Sequence, residues 1–252
     1  MGPLITARAG VTLGWVIGPL FALVSWLRRS RTFHPRGPVF HAWAAQHPAV
    51  PAELAALAER LTGCALVRFS GALWKHSEAL PDVLGCAIRL RHSDSDEAEP
   101  ETSDQDLLFA TMRRPWTMPF APFTTDVRDY LANDYFAVSP FDARLPGNGQ
   151  LYFRVHPENV THDRAGSRYE RLVRATNRHD AVLELQASRG AYGPWFPLLT
   201  VVLQRPAVVD GEALRFRPFR DGRGLTPRGF VHSLRVGVYA LSQRARPRQS
   251  PT

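Results

Sequence analysis

Between about residue 63 and residue 206 the chain is built from short runs that carry β-branched or aromatic side chains and are separated by turn residues. They are Ala65–Ser70, Val83–Leu90, Tyr135–Ser139, Leu151–Val155, Val182–Gln186 and Leu199–Leu203. Runs of this length and punctuation read as strands. Many short strands in succession leave few architectures, because each has one face to bury and two edges to pair. Closure into a barrel answers both needs. At 252 residues, 44% of them hydrophobic, the chain can fill a single core of that kind. The expected fold is therefore α+β: an antiparallel β-barrel with flanking helices, in one domain and without internal repeats.

Two segments read as the flanking helices. Glu53–Leu61 puts Leu54, Leu57, Ala58 and Leu61 on one face, after Pro51 and before Gly63. Phe230–Arg246 carries an apolar stripe of Phe230, Leu234, Val238, Leu241 and Ala245. Between the strands, Ser93–Asp106 holds seven carboxylates and is expected as a solvated loop; its spacing matches no EF-hand. Met112–Phe123, rich in proline and aromatics, is expected to cross without regular structure, and Gly222–Gly229 is expected as a loop. Pro247–Thr252 is a polar tail.

The N-terminal part, residues 1–29, is dominated by an uncharged run, Gly10–Leu27, followed at once by Arg28, Arg29 and Arg31. It is about as long as the ~20 residues a membrane span needs. Trp15 and Trp26 stand near its ends, as interfacial aromatics do, whereas Gly14, Gly18 and Pro19 interrupt it as a helix. Two placements follow: an anchor on an anionic membrane, or a helix packed against the body. A cleaved signal is disfavoured, because the basic cluster follows the apolar run.

The net charge is +8 and Lys75 is the only lysine, so arginine supplies nearly all the positive charge. Arginine forks suit carboxylates and phosphates, which leaves nucleic acid, an anionic membrane or an acidic ligand as partners. The arginines are spread along the chain and no nucleic-acid module is present, so nucleic acid is not expected. Cys64 and Cys86 are the only cysteines. They make no disulfide framework and no CxxC site, which points to a reducing, cytoplasmic compartment. Nucleophile-elbow, phosphate-loop, zinc-protease and dinucleotide motifs are all missing, and the 9 histidines show no metal-ligand spacing.

Three segments, in order, carry a more specific signal. The first is Arg31-Thr-Phe-His34-Pro-Arg-Gly37, with an arginine three before a histidine and a glycine three after it. The second is Val67-Arg68-Phe69-Ser70, followed by Asp82-Val-Leu-Gly85-Cys-Ala-Ile-Arg-Leu90. The third is Arg235-Val-Gly-Val-Tyr239-Ala-Leu-Ser-Gln243-Arg-Ala-Arg246. Together they resemble the distal segment, the VRFS strand with its neighbour, and the proximal segment of the haem catalase superfamily. With Tyr135–Pro140 and Leu151–Pro157, the resemblance runs from about residue 30 to 246. It is nearest to the small catalase-related peroxidase branch, which lacks large C-terminal extensions.

The resemblance implies a barrel of catalase type binding haem b, with Tyr239 as the iron ligand. An anionic phenolate donates electron density that favours O–O cleavage, and Arg235 four residues earlier would favour that phenolate. His34 would move the peroxide protons, and Ser70 would fix its tautomer. Arg31, Arg68 and Arg246 would pair with the haem propionates, and Phe123 would pack on the haem face. The chain departs from the family at two places. Val83-Leu84 stand where the family has Pro-Arg. The segment Asp106-Leu-Leu-Phe-Ala110-Thr111 has no counterpart of the family's distal asparagine, and Thr111 is the catalytic candidate that would donate a hydrogen bond there. The implied activity is thus a peroxidase using hydrogen peroxide or organic hydroperoxides through a ferryl intermediate, with weak or no catalase activity and an unspecified electron donor. The competing expectation is a haem-free protein of the same fold serving as a membrane-surface binding module.

Overall fold

The computed structural model describes residues 37–72, 74, 78–113, 120–137, 139–145, 149–159, 165–209, 213–217 and 220–228. The expected helix Phe230–Arg246 and the apolar run Gly10–Leu27 lie outside the described residues. Among the described residues, no helix is long and apolar enough to cross a membrane.

Ten strands form one antiparallel sheet: β1 (Val39–Gln46), β2 (Gly63–Gly71), β3 (Leu84–Arg91), β4 (Gln105–Ala110), β5 (Tyr135–Ala137), β6 (Phe141–Asp142), β7 (Gln150–Pro157), β8 (Val182–Ser188), β9 (Phe196–Pro206) and β10 (Thr226–Pro227). Their order is β10-β6-β7-β5-β4-β3-β2-β1-β9-β8, and β8 pairs back onto β7. Strands β1–β5 and β7–β9 therefore close an eight-stranded barrel, with the short β6 and β10 laid beside it. Closure pairs every barrel edge and leaves alternate side chains inside and outside.

The inside is apolar. Phe40, Val67, Phe69, Ile88, Leu107, Tyr135, Phe153, Leu185 and Val201 belong to one buried cluster. Phe69 lies 5.1 Å from the ring of Tyr130 and 5.9 Å from that of Tyr135, whose hydroxyl donates to the Tyr130 carbonyl at 2.7 Å. Helix α1 (Ala52–Leu61) buries Leu54, Leu57, Ala58 and Leu61 in the same cluster, the face its spacing predicts. Each fully buried leucine of this kind contributes roughly 1.5–3 kcal/mol. Among the described residues, the helices α2 (Ala121–Thr124) and α3 (Arg168–Asn177) complete the regular structure, with one 3₁₀ turn at Tyr130–Ala132.

All six expected strands are present. Four strands, β1, β4 and the two-residue β6 and β10, and two helices, α2 and α3, are additional to the expectation. The alanines of β1 have low strand propensity, yet Ala42 and Ala44 line the core while His41 and Trp43 point outward. The acidic segment ends earlier than expected, because Gln105 and Asp106 enter β4 and are buried. Asp106 is neutralised there: Arg89, opposite it on β3, donates from Nε at 2.8 Å and from Nη2 at 3.1 Å to its two carboxylate oxygens. Helix α3 stands in a stretch read as strands. Cys64 and Cys86 form no disulfide, and burial pushes the thiol pKa of both up.

Candidate functional site

Alternation along β2 decides which of the candidate residues can act together. Val67 and Phe69 point into the core, so Arg68 and Ser70 share the outer face. The register extends this face across the sheet. Ser70 stands opposite Gly85, Gly85 opposite Ala110, and Ala110 opposite Phe136. One row along, Val39 faces Arg68, Arg68 faces Ala87, and Ala87 faces Leu108. Side chains opposite each other across antiparallel strands lie on the same side. Ser70, Gly85, Ala87 and Ala110 therefore make a low patch, bordered by Arg68 and Phe136. Ala110 packs on Met112 and Ala121 at its far end. The Arg68 guanidinium lies 5.3 Å from the ring centre of Phe216, and that of Arg89 lies 5.0 Å from the same ring.

The chain enters the described region beside this patch. A Cβ on Gly37 would stand 1.6 Å from the Phe69 carbonyl oxygen and 2.9 Å from the Ser70 Cα. Only a residue without Cβ allows that approach. The Phe69 amide donates to the Pro38 carbonyl at 3.1 Å, which ties the entering chain to β2. Ser70 is buried.

Thr111 is placed differently from the role expected of it. Ala110, one residue earlier, is the residue in register with the Ser70 row. The Thr111 hydroxyl accepts from the Leu84 amide at 3.1 Å and lies 2.7 Å from the Thr125 hydroxyl. Thr125 spends its own proton on the Ala121 carbonyl at 2.8 Å, so the proton between the threonines is that of Thr111. Thr111 thus has no proton left to offer a peroxide; it staples the end of β4 to β3 and α2. Phe123, in α2, is 77% exposed. Arg31, His34, Arg235, Tyr239 and Arg246 lie outside the described residues.

Two tyrosines, Tyr130 and Tyr135, belong to the core cluster. Burial pushes the phenol pKa of Tyr130 up and that of Tyr135 well up, which opposes formation of a phenolate. Among the described residues one group of metal-ligand type occurs elsewhere: His47, Glu158 and Glu184 bring ligand atoms within 4.8 Å of one another. However, His47 Nδ1 accepts the Ala49 amide proton at 3.0 Å. That places the proton of the neutral ring on Nε2 and leaves it no lone pair for a metal.

Sequence reasoning found Arg68 and Ser70 but not the small residues that floor the patch. Those residues are spread over three strands, and only the pairing register brings them together. The same holds for a cleft of about 480 Å³ beyond Phe136, lined in part by Thr111, Arg113, Asp134, Phe136 and His156.

No family model and no curated protein matches this chain. Solved structures do. A bacterial catalase superposes with a TM-score of 0.58 at 13% identity, over 89% of this chain and 60% of that one. A fungal catalase superposes with a TM-score of 0.57 at 12% identity, over 91% of this chain and 63% of that one. The chain thus spans about three fifths of the length of these catalases, and its antiparallel barrel has the catalase-type fold.

Proposed function

We propose that this chain is a haem-dependent peroxidase of catalase type, acting on hydrogen peroxide or organic hydroperoxides. One observation carries the reading. Arg68 and Ser70 share an outer face floored by Gly85, Ala87 and Ala110, and Gly37 seats the chain that follows His34 on the Ser70 backbone. A low patch with a cationic border fits a planar dianionic macrocycle. The haem would lie over the patch with Arg68 at a propionate, a charge-assisted contact. Haem, when bound, supplies the redox centre at which a peroxide O–O bond is cleaved.

The chain's own residues then have defined tasks. His34 lies three residues before Gly37, so its Cα is at most about 11 Å from the Gly37 Cα. Within that reach its imidazole could lie over the patch, where the Ser70 hydroxyl would hold one ring nitrogen. The other nitrogen takes the proton of the incoming peroxide and returns it to the leaving oxygen. Tyr239 would hold the iron, with Arg235 favouring its phenolate, and Arg31 and Arg246 would hold the propionates. Thr111 offers no second proton donor, which supports peroxidase action over disproportionation of hydrogen peroxide.

The test is a pair of variants. His34→Ala is expected to keep the haem absorption spectrum and to slow the reaction with peroxide by about 10²–10⁴-fold, measured by stopped flow. Tyr239→Phe is expected to lose or shift the haem spectrum. A wild-type peroxide rate in the first variant and an unchanged ferric spectrum in the second would overturn both assignments.

A further inference from the structure

The cleft beyond Phe136 contains a side-chain arrangement that the proposed peroxide chemistry does not use. His156, on β7, points outward, and its Nδ1 lies 2.6 Å from Asp134 Oδ1. Asp134 is itself held by Arg154 Nη1, which donates to Oδ2 at 3.1 Å. Arg154 in turn donates from Nε to Gln186 Oε1 at 2.7 Å, so the carboxylate has a fixed orientation. A carboxylate on Nδ1 puts the proton of the neutral ring there and leaves Nε2 as an acceptor. Nε2 has no partner among the described residues. Arg113 stands at the same cleft with its guanidinium 5.4 Å from the Phe136 ring centre, and it makes no ion pair among the described residues. Leu131 and Pro157 supply apolar wall. The volume of about 480 Å³ lies within the roughly 300–1,000 Å³ of small-molecule sites.

An oriented acceptor nitrogen, an available guanidinium and an aromatic wall are complementary to one class of ligand. We propose that this cleft binds a small anionic phenol, with its hydroxyl on His156 Nε2, its carboxylate on Arg113 and its ring against Phe136. Phe136 stands in register with Ala110, Gly85 and Ser70, so the ligand lies at the end of the row over which haem is proposed. Resting on that reading, the phenol is the reducing co-substrate. His156 Nε2 would take the hydroxyl proton as the phenol gives up one electron and becomes a phenoxyl radical; haem, when bound, would supply the oxidant that peroxide generates.

The experiment is isothermal titration of the full-length protein with p-hydroxybenzoate, before and after addition of hemin. Saturable binding at one site is expected in both states. Arg113→Ala should weaken it by about tenfold or more, the worth of one charge-assisted contact, and His156→Gln by about threefold to tenfold, the worth of a neutral hydrogen bond. Both side chains are at the surface, and a thermal melt of each variant verifies the fold. With benzoate as ligand, His156→Gln should have little effect, because the hydroxyl it reads is missing. No saturable binding, or equal affinity in wild type and both variants, overturns the inference whether or not the protein takes up haem. Binding that behaves as expected in a protein that takes up no haem supports the cleft and refutes only the peroxidase reading.

Discussion

At the scale of single residues, the account rests on Gly37 as much as on any group with chemistry. Its Cα lies against the Phe69 carbonyl, and backbone atoms on both sides leave no room for a methyl group. Gly37→Ala must therefore push the entering chain off β2. The expected cost is about 1–3 kcal/mol in denaturant unfolding, as for other overpacked sites. Haem affinity should fall with it, because the segment carrying His34 loses its seat. Wild-type stability and haem uptake in that variant would contradict the placement. Thr111 shows the limit of matching single residues. It falls where a donor is expected, yet its proton goes to Thr125. No sequence pattern reports where a hydroxyl proton goes.

At the scale of elements, α3 is the clearest case of a signal present but unread. Ser167 accepts from the Glu170 amide, and the Glu170 carboxylate accepts from the Ser167 amide at 2.8 Å, closing a capping box. The arginine-rich segment that follows masks its apolar stripe, but Leu172 and Ala175 reach the core. Ser167→Ala is expected to cost about 0.5–2 kcal/mol of stability. The box also sets a pH dependence. Hydrogen bonds from the Ser167 amide, then from its hydroxyl, hold the Glu170 carboxyl below the ordinary glutamate range. A folded pKa below the unfolded one means that the stabilisation is present above the unfolded value of about 4.3 and fades as pH falls through the folded value. Thermal melts across that acid range should show a shallower loss in Glu170→Gln than in wild type. Parallel curves would mean that the box does not close. Strands β1 and β4 escaped notice for complementary reasons. Core alanines in β1 and a buried ion pair on β4 replace the β-branched alternation by which strands are recognised.

At the scale of the whole molecule, the barrel was legible and its register was not. Short punctuated runs announce strands, and strands in such number call for closure. Which residues face one another across β2, β3 and β4 depends on pairings between segments far apart in sequence, so the patch of Ser70, Gly85, Ala87 and Ala110 emerges only in the fold. At 12–13% identity, the chain shares the catalase-type barrel with the matched catalases while most side chains differ. Of the residues proposed to act with haem, Arg68 and Ser70 stand on one outer face of it. The account therefore stands on whether that face takes the cofactor, and the most direct measurement is the visible absorption spectrum of the purified full-length protein, alone and titrated with hemin. The account predicts a Soret band that saturates at one haem per chain, with the spectrum of ferric iron bound to a phenolate. A protein that stays colourless, and leaves the spectrum of added hemin unchanged, would contradict it.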